Sequence, residues 1–236
     1  MILTVGQTFL FLFLLLLTSG VSASSNIVQS VVVSFPVNGR VIVQAHEEAG
    51  KFPQMLLVSE KTAKVLLLSS IEDADKWLIP GEGDTVGAQP NLRFRVIRSS
   101  GFRGPMVMSV GLFHGGSDNA YFLTVFGEVD GKILRFNDKP LFANVQGGYY
   151  LGYLNKRFGY GLAVWNFIWE DGKPHYTKHK YEVKIYQLQD GTLKRALRRI
   201  SRSTYDSDNG ANSLRELGMR VSDQRTGIPR IKDSLQ

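Results

Sequence analysis

The sequence predicts an all-β protein built from antiparallel strands and hairpins, on three observations. Short apolar runs rich in β-branched and aromatic residues recur along most of the chain. Gly, Pro, Asn or Asp punctuate the gaps between them, with 24 glycines in 236 residues available for turns. Segments with a helical period are scarce.

The first element in chain order is not a strand. Residues 1–23 carry no charged side chain, and every residue from Phe9 to Leu17 is Phe or Leu, which reads as the apolar core of a signal peptide. Val21-Ser22-Ala23 supplies the small-x-small pattern that a signal peptidase cuts, so removal before Ser24 is expected. The apolar core falls short of the about 20 residues needed to span a bilayer. The mature protein is therefore expected to be secreted or periplasmic, with no transmembrane domain. A membrane-tethered form is the alternative, because no Lys or Arg precedes the apolar run.

Strands are then predicted at 27–35, 54–58, 64–68, 92–97, 106–113, 121–126, 132–136, 149–154, 161–168 and 181–188. Asp130-Gly131 and Asp190-Gly191 each lie between two such runs, where Gly supplies the positive φ of a tight hairpin. Helix is expected only at 71–77 and at 212–217, the second capped by Asn212 and stopped at Gly218. These elements divide the chain into a signal peptide at 1–23, a β-rich domain at 24–205 and a polar, loosely ordered tail at 206–236.

Three segments look alike: Lys51-Phe52-Pro53-Gln54-Met55, Phe102-Arg103-Gly104-Pro105-Met106 and Phe158-Gly159-Tyr160-Gly161-Leu162. Each joins a Phe and a Gly or Pro turn to an apolar strand. Their spacing of roughly 50 residues is the size of a four-stranded propeller blade. The expected architecture is accordingly propeller-like blades or a distorted sandwich.

Within the third copy, Gly147-Gly148-Tyr149-Tyr150-Leu151-Gly152-Tyr153-Leu154-Asn155 and Gly159-Tyr160-Gly161-Leu162-Ala163-Val164-Trp165 resemble the FG-GAP or VCBS repeat of integrin-type propellers, over about residues 146–203. That family binds calcium in a loop rich in Asp, Asn and Gly. Here Tyr153 stands where an aspartate would be, and Lys156, Arg157 and Phe158 replace the acidic run. Calcium takes about six to eight oxygen ligands, so the loop is not expected to hold it.

The chain has no cysteine, which excludes disulfides, thiolate catalysis and zinc–cysteine sites. Its net charge of +7 is unevenly placed. Residues 1–170 hold 14 basic and 13 acidic side chains, whereas residues 171–236 hold 14 and 8. The C-terminal part is the basic one, and its expected partners are a glycan or an anionic polymer, with a protein partner or a homo-oligomer as further options.

Candidate sites follow from residue chemistry. Trp165, Asn166 and Trp169, with His175 and His179, could form an aromatic ligand-binding face, since flat rings beside amide and imidazole groups suit a sugar. The alternative is that Trp165 and its neighbours are core. Lys194, Arg195, Arg198, Arg199 and Arg202 form a basic patch without an acid among them, on the return strand of the Asp190-Gly191 hairpin. Cations on an edge strand also discourage aggregation. A secreted hydrolase using His114, Asp118, Glu170 and His175 is the rival reading, although Gly-x-Ser-x-Gly is absent. Asp206-Ser207-Asp208-Asn209-Gly210 reads as a solvated turn. No metal and no cofactor is expected.

Overall fold

A computed structural model describes residues 26–47, 54–70, 91–98, 104–115, 118–144, 146–174 and 176–219. The all-β expectation holds. The strands are β1 (Asn26–Phe35), β2 (Gly39–Glu47), β3 (Gln54–Ser59), β4 (Val65–Ser70), β5 (Asn91–Ile97), β6 (Met106–Gly115), β7 (Asp118–Val129), β8 (Lys132–Arg135), β9 (Leu141–Ala143), β10 (Gly148–Asn155), β11 (Gly159–Phe167), β12 (Tyr181–Gln189) and β13 (Thr192–Ile200). They form three antiparallel sheets in sequence order, β1–β4, β5–β8 with β9, and β10–β13. Each sheet is thus a local meander. Met106 and Leu162 fall on the second strands of their sheets, whereas Met55 falls on the third strand of its own. The expected helix at 71–77 lies outside the described residues.

Alternating side chains stack the sheets in series. Val33, Val41, Val43, Met55 and Leu57 of the first sheet pack against Leu92, Phe94, Val107 and Phe126 of the second. The opposite face of the second sheet places Met108, Val110, Leu123 and Val125 against Tyr149, Leu162 and Val164 of the third. The outer face of the third sheet carries Trp165, Phe167, Tyr181, Val183 and Ile185, covered by Leu214 and Met219. Leu214 belongs to a 3-10 helix, Ser207–Leu217, that ends where Gly218 adopts φ +70°. This part of the expected tail is therefore packed onto the third sheet, and residues 220–236 lie outside the described set.

Side-chain amides complete the backbone pairing where strands break. The outer strand of the second sheet is interrupted between β8 and β9. There Asn137 accepts from Val125 N at 2.8 Å and donates to Leu123 O at 3.1 Å, standing in for the missing backbone. Asn144 does the same for Phe167, accepting from its N at 2.8 Å and donating to its O at 2.7 Å. Gln29 of β1 pairs with both backbone groups of Phe94 on β5, linking the first two sheets.

The turns fix which ends of the sheets lie together. Glu128, near the end of β7, accepts from Val37 N at 2.8 Å and Asn38 N at 2.7 Å, so the β1–β2 turn sits on the β7–β8 hairpin. A Cβ on Gly191 would lie 3.0 Å from Val129, which brings the β12–β13 hairpin to the same end. The two Asp-Gly hairpins both form, with φ of 48° and 74° at Asp130 and Gly131 and 50° and 72° at Asp190 and Gly191. The β2–β3, β6–β7 and β11–β12 connections consequently gather at the opposite end of the stack.

Candidate functional site

Among the described residues, that end holds His46 at the end of β2, the backbone of His114 at the end of β6, and His179 between β11 and β12. Nothing in the spacing of these three residues predicts the gathering, because it arises from the stacking of three separate meanders. His114 and Asp118 lie at the two ends of the β6–β7 connection in the second sheet, and Glu170 lies in the β11–β12 connection of the third. The side chains of His114, Asp118 and His175 are outside the described residues.

The expected aromatic face divides between interior and surface. Trp165 is 2% exposed and packs under Leu214 and Met219, because alternation turns Ala163, Trp165 and Phe167 toward the 3-10 helix. Asn166 is buried, and its Oδ1 accepts from Asn144 N at 2.7 Å. Both side chains are therefore buried within the fold. Trp169 is 50% exposed, since β11 ends at Phe167 and the chain leaves the sheet before the next inward position. Its ring meets Phe167 edge-on at 5.0 Å.

His179 is fully buried, 4.2 Å from the Phe167 ring, and its backbone forms an isolated antiparallel bridge with Tyr205. It is thus not on a helix with His175. Its Nε2 lies 3.0 Å from Pro174 O and 3.1 Å from Thr177 Oγ1. Thr177 Oγ1 donates to the same carbonyl at 2.7 Å, so Nε2 carries the imidazole proton toward that oxygen. His179 Nδ1 is buried without a hydrogen bond, 3.8 Å from Glu170 Oε1. The Lys173 ammonium, 2.6 Å from Glu170, holds that carboxyl below its usual range. This arrangement pins the β11–β12 connection against the sheet.

The basic segment is β13, an edge strand of the third sheet among the described residues, whose first turn is tied to the second sheet by Leu193 N donating to Phe136 O. Ile185 pairs with Leu197 and Tyr186 with Arg195, so Ala196 is a bulge. The bulge reverses the alternation. Arg195 and Arg198 share the face of Tyr186 and Lys184, while Lys194, Leu197 and Arg199 share the face covered by the 3-10 helix. Cations therefore flank the edge on both sides. Lys194, Arg195, Arg198 and Arg202 are exposed.

Two acids structure this region, and the sequence reading did not single out either. Burial raises the Glu182 carboxyl, but hydrogen bonds and charge from Lys184 and Arg198 more than offset that and hold it below its usual range. Burial likewise opposes Glu216. Its bonds from Arg202 N at 2.7 Å, Ser203 N at 2.9 Å and Tyr205 Oη at 2.8 Å, with the Arg199 charge, leave it lowered overall. Among the described residues, Lys194 and Arg195 make no ion pair.

Among the described residues no helix is long and apolar enough to cross a membrane. No family model, curated protein or solved structure matches the chain.

Proposed function

We propose that this chain is an exported, non-enzymatic interaction module whose third sheet binds a linear anionic polymer along β13. The observation that supports this reading is an edge strand with exposed Lys194, Arg195 and Arg198, of which Lys194 and Arg195 make no ion pair among the described residues. At about 3.3 Å per residue, the cations of β13 extend over roughly 17 Å. A chain of sulfate, carboxylate or phosphate groups would meet several of them at once. Edge protection alone explains cations on one strand, yet it does not call for spreading them over both faces. The four-stranded meander at 148–200 suits a propeller-type blade and falls within the stretch that resembles the FG-GAP family.

Fluorescence anisotropy with labelled dextran sulfate, polyglutamate and polyphosphate tests the reading on the chain from Ser24 to Gln236. Binding to at least one polymer is expected, weakening as salt shortens the Debye length below about 10 Å. Lys194→Glu with Arg195→Glu should reduce affinity about tenfold or more through lost attraction and added repulsion. The pair Lys61→Glu and Lys64→Glu, at the β3–β4 turn, should change it little. Equal affinity of the β13 double variant and the parent would overturn the assignment, as would failure to bind all three polymers.

A further inference from the structure

We propose that β13 takes up an extended acidic polypeptide as an added antiparallel strand. The inference rests on the polymer reading above and narrows its ligand to a peptide chain. Backbone pairing along β13 can be counted from both ends. Asp190 and Gly191, at φ 50° and 72°, form a two-residue turn whose flanking pair, Gln189 and Thr192, exchanges hydrogen bonds. Pairing then alternates, so Lys194 bonds β12 while Leu193 and Arg195 turn their backbone groups outward. Leu193 N shows this directly, donating away from β12 to Phe136 O. From the other end, Ser201 N donates to Tyr181 O at 2.8 Å, so Arg199 and Leu197 bond inward while Ile200 and Arg198 face outward. The two counts differ by one residue, and the Ala196 bulge absorbs the difference.

Arg195, Arg198 and Ile200 thus present N–H and C=O groups on the outer side of the strand, and all three residues are exposed, Ile200 by 55%. Among the described residues no strand pairs with them there and no side-chain amide closes them. Elsewhere the protein does close such groups, as Gln29 does for Phe94 and Asn137 for Leu123 and Val125. Side chains then select the partner. The register puts Arg195, Arg198 and Ile200 on one face, opposite Tyr186, Lys184 and Glu182. An antiparallel segment entering at Ile200 and leaving at Arg195 therefore presents an apolar residue first, since Glu182 disfavours an acid there. Acids two and four positions later stand directly across from Arg198 and Arg195, with the bulge pair facing a single residue between them. The same cations repel a second copy of β13, and together with the bulge they discourage neutral strands. A sulfated or phosphorylated polymer would meet the charges and leave the backbone groups unused, whereas a peptide uses both.

Fluorescence anisotropy on the chain from Ser24 to Gln236 uses a labelled peptide, acetyl-Thr-Val-Thr-Glu-Thr-Glu-Thr-amide, beside the same peptide N-methylated at both Glu residues. Methylation removes two N–H donors aimed at β13 and leaves the charge. It is expected to weaken binding about tenfold or more, and exchanging both Glu for Gln is expected to do the same. Ile200→Pro deletes one outward donor of the protein and no charge, so it should lower peptide affinity several-fold while dextran sulfate binding stays at the parent level. That retained binding also reports an intact third sheet. Equal affinity for the methylated and unmethylated peptides overturns the strand inference, as does equal affinity for the Gln peptide, parent-like peptide binding by Ile200→Pro, or no peptide binding at all. In each of these cases, binding of dextran sulfate or polyphosphate that still depends on Lys194 and Arg195 leaves the polymer reading standing. Failure of the peptide and all three polymers to bind removes both.

Discussion

Asn137 is predicted to stabilise the second sheet through its bonds to two backbone groups of β7. Its side chain is 4% exposed, and it satisfies Val125 N and Leu123 O in the gap between β8 and β9. Asn137→Leu preserves the approximate shape while removing both the donor and the acceptor. Each buried group left without a partner costs about 1–3 kcal/mol, so the two together give about 2–6 kcal/mol. Water entering the strand gap would satisfy part of that, which places the expected loss near the lower half, about 3 kcal/mol. Urea unfolding followed by tryptophan fluorescence measures it, with the midpoint falling and the slope unchanged. Lys132→Ala, exposed on β8, is the reference and should stay within about 0.5 kcal/mol. An Asn137→Leu loss inside that same window would refute the reasoning, because the amide would then be decorating the sheet rather than completing it.

Two other perturbations separate the remaining contacts. Leu214→Ala empties a fully buried position over the outer face of the third sheet, and should cost about 2–5 kcal/mol with a red shift of Trp165 emission. An unshifted spectrum would mean that the 3-10 helix does not seal Trp165. Glu216 has its carboxyl held below the ordinary glutamate range in the fold, so its contribution is fully present above about pH 4.5. It is withdrawn as pH falls through the lowered folded value, and Glu216→Gln should flatten the acid limb of the stability–pH profile. Parallel acid limbs for the two proteins would contradict this.

Much of the secondary structure is legible in the sequence because alternation and turn residues are local signals. The strands around β1, β5, β10 and β12 appear where the apolar runs are, and both Asp-Gly hairpins form. β2 escaped because it is buried on both faces, with Gln44 and His46 occupying hidden positions that a half-buried pattern would reserve for apolar residues. β9 escaped because Asn137 and Pro140 look like a loop, and only the partner strand reveals that the amide continues the ladder. At the candidate site, alternation correctly grouped Trp165 with Phe167. It could not show that β11 stops before Trp169, which is what separates a core indole from a half-exposed one. The Ala196 bulge was equally hidden, since an extra residue is defined by its mismatch with β12 and not by its own chemistry. The shared end of His46, His114 and His179 required the sheets to be stacked first.

The order of the three meanders has a consequence for biogenesis. Each sheet is made from a continuous stretch of chain, and each core needs only the sheet before it. A polypeptide emerging N-terminus first, from a ribosome or a translocation channel, can complete β1–β4 before β5 is released and then add later sheets by accretion. Closing only short loops at each step keeps assembly fast. Leu214 and Met219 emerge after β10–β13, so the apolar outer face of the third sheet stays open until they have been released. That interval is when the nascent chain is most exposed to aggregation, and the cations of β13 lie beside the vulnerable surface throughout it.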